Sequence, residues 1–110
     1  MKGVCPLLPA LLLFTAGTSM AAEPPCAADA VRQARKLLGW HNGDDGPVFV
    51  EPQARLLAPL ANPVNKTQKF SVLEVMGHIQ KANYRMRLIY AGGEGQCLLM
   101  GQEILELSSL

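Results

Sequence analysis

The hydrophobic and polar positions after residue 25 first follow the period of a helix. In the stretch CAADAVRQARKLLGW (26–40), apolar residues recur every three or four positions, and polar or charged residues lie between them. Asp29 is in the first turn and the basic pair Arg35-Lys36 is in the last, which complements the helix dipole. Gly39 is placed to end the helix. The pattern predicts an amphipathic helix of roughly three turns that must pack on a sheet.

The second half of the chain follows the alternation of strands instead. Three apolar-rich segments are separated by short polar or glycine-rich connections: KFSVLEVMGHIQ (69–80), YRMRLIYA (84–91) and CLLMGQEILEL (97–107). The third segment is apolar on both sides until Gly101-Gln102, where the pattern breaks. We therefore expect a central or doubly covered last strand, with a bulge at Gly101-Gln102.

A two-residue turn at Ala82-Asn83 predicts the register of the first two strands. It places Gly77 opposite Leu88 and Val75 opposite Tyr90, so that apolar residues share one face of the hairpin. The other face then pairs His78 with Arg87, Met76 with Ile89 and Gln80 with Arg85.

The region between the helix and these strands is harder to interpret. HNGDDGP (41–47) has the composition of turns, and VFV (48–50) reads as a short strand. Within QARLLAPLANPVNKTQ (53–68), Pro59 and Pro63 exclude a long regular element. We interpret it as a loop with at most one helical turn, whose leucine-rich segment 53–60 covers the second sheet face. Asn65 begins a glycosylation acceptor pattern, which matters only in a eukaryotic source.

These elements together predict an α+β fold with one N-terminal amphipathic helix on an antiparallel sheet of three to four strands. In outline this is similar to a cystatin-like roll, and IQKANYRMRLIY (79–90) resembles the succession of strand, short turn and Tyr-led strand in cystatins. The resemblance covers the outline alone. The Gln-x-Val-x-Gly inhibitory hairpin of cystatins is missing, since Lys-Ala-Asn-Tyr follows Gln80. No cysteine-protease inhibition is carried over, and no family is assigned.

The first 25 residues have the composition of a secretory leader. A lysine is followed by an apolar run that is about half the roughly 20 residues needed to span a bilayer, and then by small residues. We expect a signal peptide over 1–21 and a single small domain over 22–110, located in the periplasm or outside the cell. Loss of Lys2 leaves nine basic and nine acidic residues, so the mature chain is formally neutral. Neutrality argues against nucleic acid or an anionic membrane surface and favours a protein or small-molecule partner or self-association. We expect no membrane insertion of the mature chain.

Cleavage of the leader also decides the cysteine count. Cys5 is removed, and Cys26 and Cys97 remain as an even pair in an oxidising compartment. We expect a disulfide between them, with a free thiol pair or a metal site as the alternatives.

Recognisable catalytic motifs are absent from the sequence. It has no G-x-S-x-G elbow, no H-E-x-x-H and no phosphate loop, and its histidines are His41 and His78. We therefore expect a protein that is not an enzyme and that uses no cofactor.

Three weaker ligand signals have simpler explanations. Asp44 and Asp45 could bind a cation, but the stretch lacks a calcium-loop pattern and fits a solvated turn. Gly92, Gly93 and Gly95 could hold an anion, but they precede a strand and fit a hairpin loop. Met76 and His78 offer soft ligands for copper, although methionine is also a common core filler.

The second face of the hairpin is the strongest functional candidate. Apolar side chains rimmed by arginines have the composition of a protein interface if nothing covers them. The sequence thus favours a secreted, non-enzymatic protein-binding domain of the inhibitor or accessory-subunit type that uses an apolar sheet face or edge. A periplasmic copper-binding protein is the alternative, and a small enzyme is a more remote one. The expected partner-binding residues are Phe70, Val72, Met76, His78, Arg85, Arg87 and Ile89.

Overall fold

The computed structural model describes residues 23–92 and 95–107, so the expected signal peptide over 1–21 lies outside the described residues. The fold is α+β, with one helix packed on an antiparallel sheet. The sheet has six strands rather than the three to four expected, because two short strands form in a region interpreted as a loop. The elements are α1 (Ala27–His41), β1 (Phe49–Val50), β2 (Arg55–Leu56), β3 (Leu60–Ala61), β4 (Lys69–Ile79), β5 (Ala82–Ala91) and β6 (Leu98–Leu107).

Strand β4 organises the sheet. It pairs with β5 along one side, and β5 pairs in turn with β6. The other side of β4 is shared by β1, β2 and β3, which lie one after another along it. The segment 53–60 therefore extends the sheet at its edge, and the expectation that it forms a covering loop is wrong. Prolines limit β2 and β3 to two residues each without preventing them from pairing.

The turn between β4 and β5 lies two residues earlier than expected. Ile79 pairs with Ala82, so the turn residues are Gln80 and Lys81, and Gln80 has a left-handed φ of 53°. Every pairing expected across this hairpin is therefore wrong, although the two faces keep the expected residues. The reason is that the two registers differ by an even number of positions, and an alternating pattern cannot distinguish them. The observed neighbours are His78 with Asn83, Met76 with Arg85, Glu74 with Arg87 and Val72 with Ile89.

Strand β6 forms an edge of the described sheet, and the expectation of a central strand is wrong. The expected bulge is present, one position earlier than Gly101-Gln102. Tyr90 pairs with Leu99 and Ile89 pairs with Gly101, which leaves Met100 as the extra residue. The apolar residues that suggested a doubly covered strand are largely exposed instead.

The helix runs two residues beyond Gly39. The amide of Asn42 donates to the carbonyl oxygens of Leu38 at 3.0 Å and Gly39 at 3.2 Å, and the amide of Asp44 donates to Gly39 at 2.8 Å. Gly43, with φ of 67°, supplies the left-handed residue that reverses the chain. Gly39 thus accepts the closing hydrogen bonds, and Gly43 ends the helix.

The core lies between α1 and one face of the sheet. Its fully buried side chains come from α1, β4 and β5, with Val50 of β1 at its margin. The Cys26–Cys97 disulfide is present, with a Cα–Cα distance of 5.6 Å, and joins the start of α1 to the residue before β6. Next to it, the hydroxyl of buried Tyr90 donates to Asp29 Oδ2 at 2.7 Å. The helix is therefore attached to the sheet both covalently and by a hydrogen bond at its N-terminal end.

Candidate functional site

The sheet face turned away from α1 is called the open face. Because side chains alternate along a strand, it carries the even-numbered residues of β4 and the odd-numbered residues of β5. The structure brings all seven expected partner-binding residues to this one face. They are Phe70, Val72, Met76, His78, Arg85, Arg87 and Ile89.

One end of the open face holds a histidine between two polar partners. His78 Nε2 lies 3.0 Å from Glu51 Oε2, and His78 Nδ1 lies 2.6 Å from Asn83 Oδ1. The ring of Phe49, which pairs across from His78, stacks on the imidazole at a centroid distance of 5.7 Å. These contacts connect β4 to the loop after β1 and to β5.

Two oxygen acceptors around one imidazole favour its protonated form. Nδ1–H can donate to Asn83 and Nε2–H can donate to Glu51 at the same time when the ring is charged. The hydrogen bond to Asn83, followed by the hydrogen bond to Glu51, raises the pKa of His78 above 6.5. In the observed register His78 pairs with Asn83 and not with Arg87, as the expected turn would have required.

The middle of the open face is a row of alternating charges. Arg55, Glu74, Arg87 and Glu103 are successive partners across β2, β4, β5 and β6. Glu74 is nearly buried, and its Oε1 accepts from Arg55 at 3.0 Å while Arg85 Nε lies 3.8 Å from its Oε2. Two guanidinium groups therefore compensate the one buried carboxylate on this face.

Beyond this row lies an apolar depression that we call the hollow. Its volume is about 270 Å³. Val72 is buried within it, and Leu60 is 49% exposed at its rim. Arg87 also lines the hollow, and among the described residues no acceptor lies within hydrogen-bond distance of its buried Nε. The lining residues are Leu57, Ala58, Leu60, Val72, Arg87, Ile89 and Glu103.

Pairing with β4 explains why Leu57 and Leu60 line the hollow rather than cover the face. The amide of Leu57 donates to the carbonyl oxygen of Val72 at 2.9 Å, and Leu60 pairs with Phe70. Both leucines therefore stand beside the residues of β4 and leave the face open above them. These roles could not be predicted from the sequence, because strands of two residues are too short to show an alternating pattern.

The described residues provide little support for the metal sites considered from the sequence. Among residues 23–92 and 95–107, no three His, Cys, Asp or Glu side chains are grouped so as to hold a metal ion. Met76 and His78 do share the open face, while Met86 is buried on the opposite face as expected. Both ring nitrogens of His78 are already hydrogen-bonded, so a copper ion would have to displace Glu51 or Asn83. The glycine loop lies partly outside the described residues, and Asp44 and Asp45 are in an exposed turn.

Helix α1, which is the helix that the structure describes, is neither long enough nor apolar enough to cross a membrane. Comparison of the chain with protein-family models finds no match, and comparisons with curated proteins and with solved structures find none either. Any function assigned to the candidate site must therefore be inferred from its geometry. The site is an open sheet face with an apolar hollow, a charge row and a histidine cluster.

Proposed function

We propose that this protein is a small, secreted, non-enzymatic domain that binds a protein partner through the open face. The observation that carries the proposal is the hollow, which is lined by apolar side chains of three strands and lies under no other layer of the described structure. A partner side chain placed there would remove this surface from water, and apolar burial is the main source of binding energy in most protein association.

The charges around the hollow favour a protein rather than a small apolar ligand. Arg87 and Glu103 lie at its margin, and Glu74 with its two arginines borders it. Apolar centres surrounded by arginine and carboxylate groups are typical of protein interfaces. Arg87 in addition offers a donor group to an incoming carbonyl or carboxylate oxygen.

Secretion is part of the proposal and is supported by the disulfide together with the leader-like composition of residues 1–21. The inhibitor or accessory-subunit role and the cystatin-like outline remain sequence-based predictions. The hollow gives no preference between those two roles, since either would use an apolar recognition surface.

Ile89→Asp tests the proposal. The substitution places a carboxylate in the hollow, where it must be desolvated when a partner binds, and Lys36→Glu is the matched control on the exposed side of α1. Tagged wild-type and variant proteins are recovered from the native host, and their bound proteins and oligomeric states are compared by cross-linking and size-exclusion chromatography.

We expect the wild type and Lys36→Glu to retain the same partner or self-associated state, and Ile89→Asp to lose it while keeping its circular dichroism spectrum. A wild-type protein that is monomeric and carries no cross-linked partner would contradict the proposal, as would a partner that Ile89→Asp retains.

A further inference from the structure

The two edges of the described sheet differ in how well they are protected. On the β4 side the edge is divided among β1, β2 and β3, each two residues long, with Pro52 and Pro59 between them. Short strands and prolines are the usual means of preventing an edge from pairing with another chain. The opposite edge is β6, which runs for ten residues without proline, lysine or arginine.

Strand β6 also exposes apolar side chains along its length. Leu98 is 57% exposed, Met100 is 55% exposed and Leu105 is 49% exposed. The bulge at Met100 is its one protective irregularity, and Glu103 and Glu106 are its charged residues. The part beyond the bulge is thus a regular, partly apolar edge, and no described strand pairs with its outer backbone groups.

The charges of that part have a defined spacing, and we call residues 103–106 the acidic segment. Its sequence, Glu-Ile-Leu-Glu, alternates across the sheet, so that Glu103 lies on the open face opposite Arg87 and Glu106 lies on the helix side opposite Tyr84. The Tyr84 hydroxyl donates to Glu106 at 3.2 Å, and among the described residues Glu103 forms no salt bridge. Both carboxylates can accept further donors from the unpaired side.

We propose that β6 receives an extended segment of a partner protein as a seventh strand, and that this segment has the pattern basic–apolar–apolar–basic. The proposal rests on the protein-binding function of the open face and specifies how the partner is held beside it. In antiparallel pairing the two basic residues lie across from Glu103 and Glu106, and the apolar pair lies across from Ile104 and Leu105. The pattern is the same in both directions, and the basic residue across from Glu103 lies on the same face as the hollow.

A second copy of this chain does not have that pattern. The basic residues three positions apart are Arg32 with Arg35 and Lys66 with Lys69, and neither pair encloses two apolar residues. Pairing of β6 with itself around the acidic segment would place glutamate across from glutamate, which destabilises a sheet. The charge pattern therefore favours a different chain as the occupant.

Two blocked peptides of equal composition test the proposal on the purified full chain. Thr-Val-Lys-Val-Val-Lys-Thr has the complementary pattern, and Thr-Val-Val-Lys-Lys-Val-Thr has the same residues with the lysines adjacent. Dissociation constants are measured by NMR titration, which also shows whether the amides of β6 are the ones that respond. The variant Glu103→Gln/Glu106→Gln removes both charges and keeps the acceptor for Tyr84.

We expect the first peptide to bind about three- to tenfold more tightly than the second, with shifts along β6, because it forms two favourable cross-strand charge pairs. The glutamine variant should bind the two peptides equally. Equal binding by the wild type, absence of binding, or shifts located away from β6 would overturn the proposal, as would dimerisation through β6 in the free protein.

The variant Ile89→Asp separates this inference from the proposed function. It should leave the preference between the two peptides unchanged, because Ile89 lies in the hollow and not on β6. If Ile89→Asp loses the native partner and the peptides are not distinguished, the open-face function stands and the strand addition is wrong. If the peptides are distinguished and Ile89→Asp keeps its partner, the hollow is not the binding surface.

Discussion

Gly77 of β4 lies directly against Leu38 of α1. A methyl group added at the Gly77 Cα would be 2.7 Å from Leu38 Cδ2, 2.9 Å from Met86 Cε and 3.2 Å from the carbonyl oxygen of Phe49. A glycine in the middle of a strand usually weakens it, but here the absence of a side chain allows the helix to approach the sheet. The packing of α1 on β4 therefore depends on this position.

The first prediction follows from that contact. Gly77→Ala should lower the free energy of unfolding by about 1–3 kcal/mol, because Leu38 and Met86 must move within a closely packed core. The measurement is urea unfolding followed by circular dichroism.

Gly101→Ala is the control for Gly77→Ala. Its added methyl group would lie 3.6 Å from Ile89 Cδ1, which is an ordinary contact, so the unfolding midpoint should change little. Equal effects of the two substitutions would show that lost backbone flexibility, and not the contact with Leu38, determines the outcome.

The second prediction concerns the disulfide. Replacing both Cys26 and Cys97 by serine should lower the free energy of unfolding by roughly 4 kcal/mol, because the bridge joins residues 71 positions apart and restricts the unfolded chain. Reductant should lower the free energy of unfolding of the wild type by a similar amount and leave that of the double variant unchanged.

Thiol labelling of the denatured, unreduced protein provides the independent check of the disulfide. Mass spectrometry should find Cys26 and Cys97 unmodified. Labelling of both residues would contradict the bridge and return the pair to the free-thiol or metal alternatives.

The third prediction is a pH dependence at the histidine cluster. Contacts with Asn83 and Glu51 raise the pKa of His78 above the unfolded value of 6.5, so the folded state binds this proton more tightly than the unfolded state. The resulting stabilisation is fully present below pH 6.5 and is lost as the pH rises through the raised pKa. Since the His78 side chain is 34% exposed, we expect a small effect that salt weakens.

Glu51→Gln tests the sign of this dependence. NMR titration should give a lower pKa for the His78 ring in the variant than in the wild type. The difference in urea midpoint between the two proteins should be larger below pH 6.5 than in mildly alkaline solution. A larger difference on the alkaline side would contradict the assigned contacts.

Local patterns in the sequence were sufficient to predict the helix, the strand-rich second half and the membership of the two hairpin faces. The spacing of Ala30, Ala34 and Leu38 fits the helical period, and all three residues are fully buried. Alternation along β4 and β5 assigns each residue to a face whether or not the turn is placed correctly. For that reason the seven residues expected to bind a partner lie together on the open face even though their expected neighbours were wrong.

The tertiary structure decided the features that depend on which strands lie side by side. The turn at Gln80-Lys81 set the hairpin register, which placed Asn83 beside His78 in place of Arg87. Pairing of β1 with β4 brought Glu51 to the same ring. Pairing of β2 and β3 with β4 placed Leu57 and Leu60 at the rim of the hollow, and the strand order left β6 at an edge. The periodic pattern of apolar and polar positions specifies which face of a strand or helix a side chain lies on. The neighbours of that side chain depend on backbone pairing between distant segments, which the pattern does not encode.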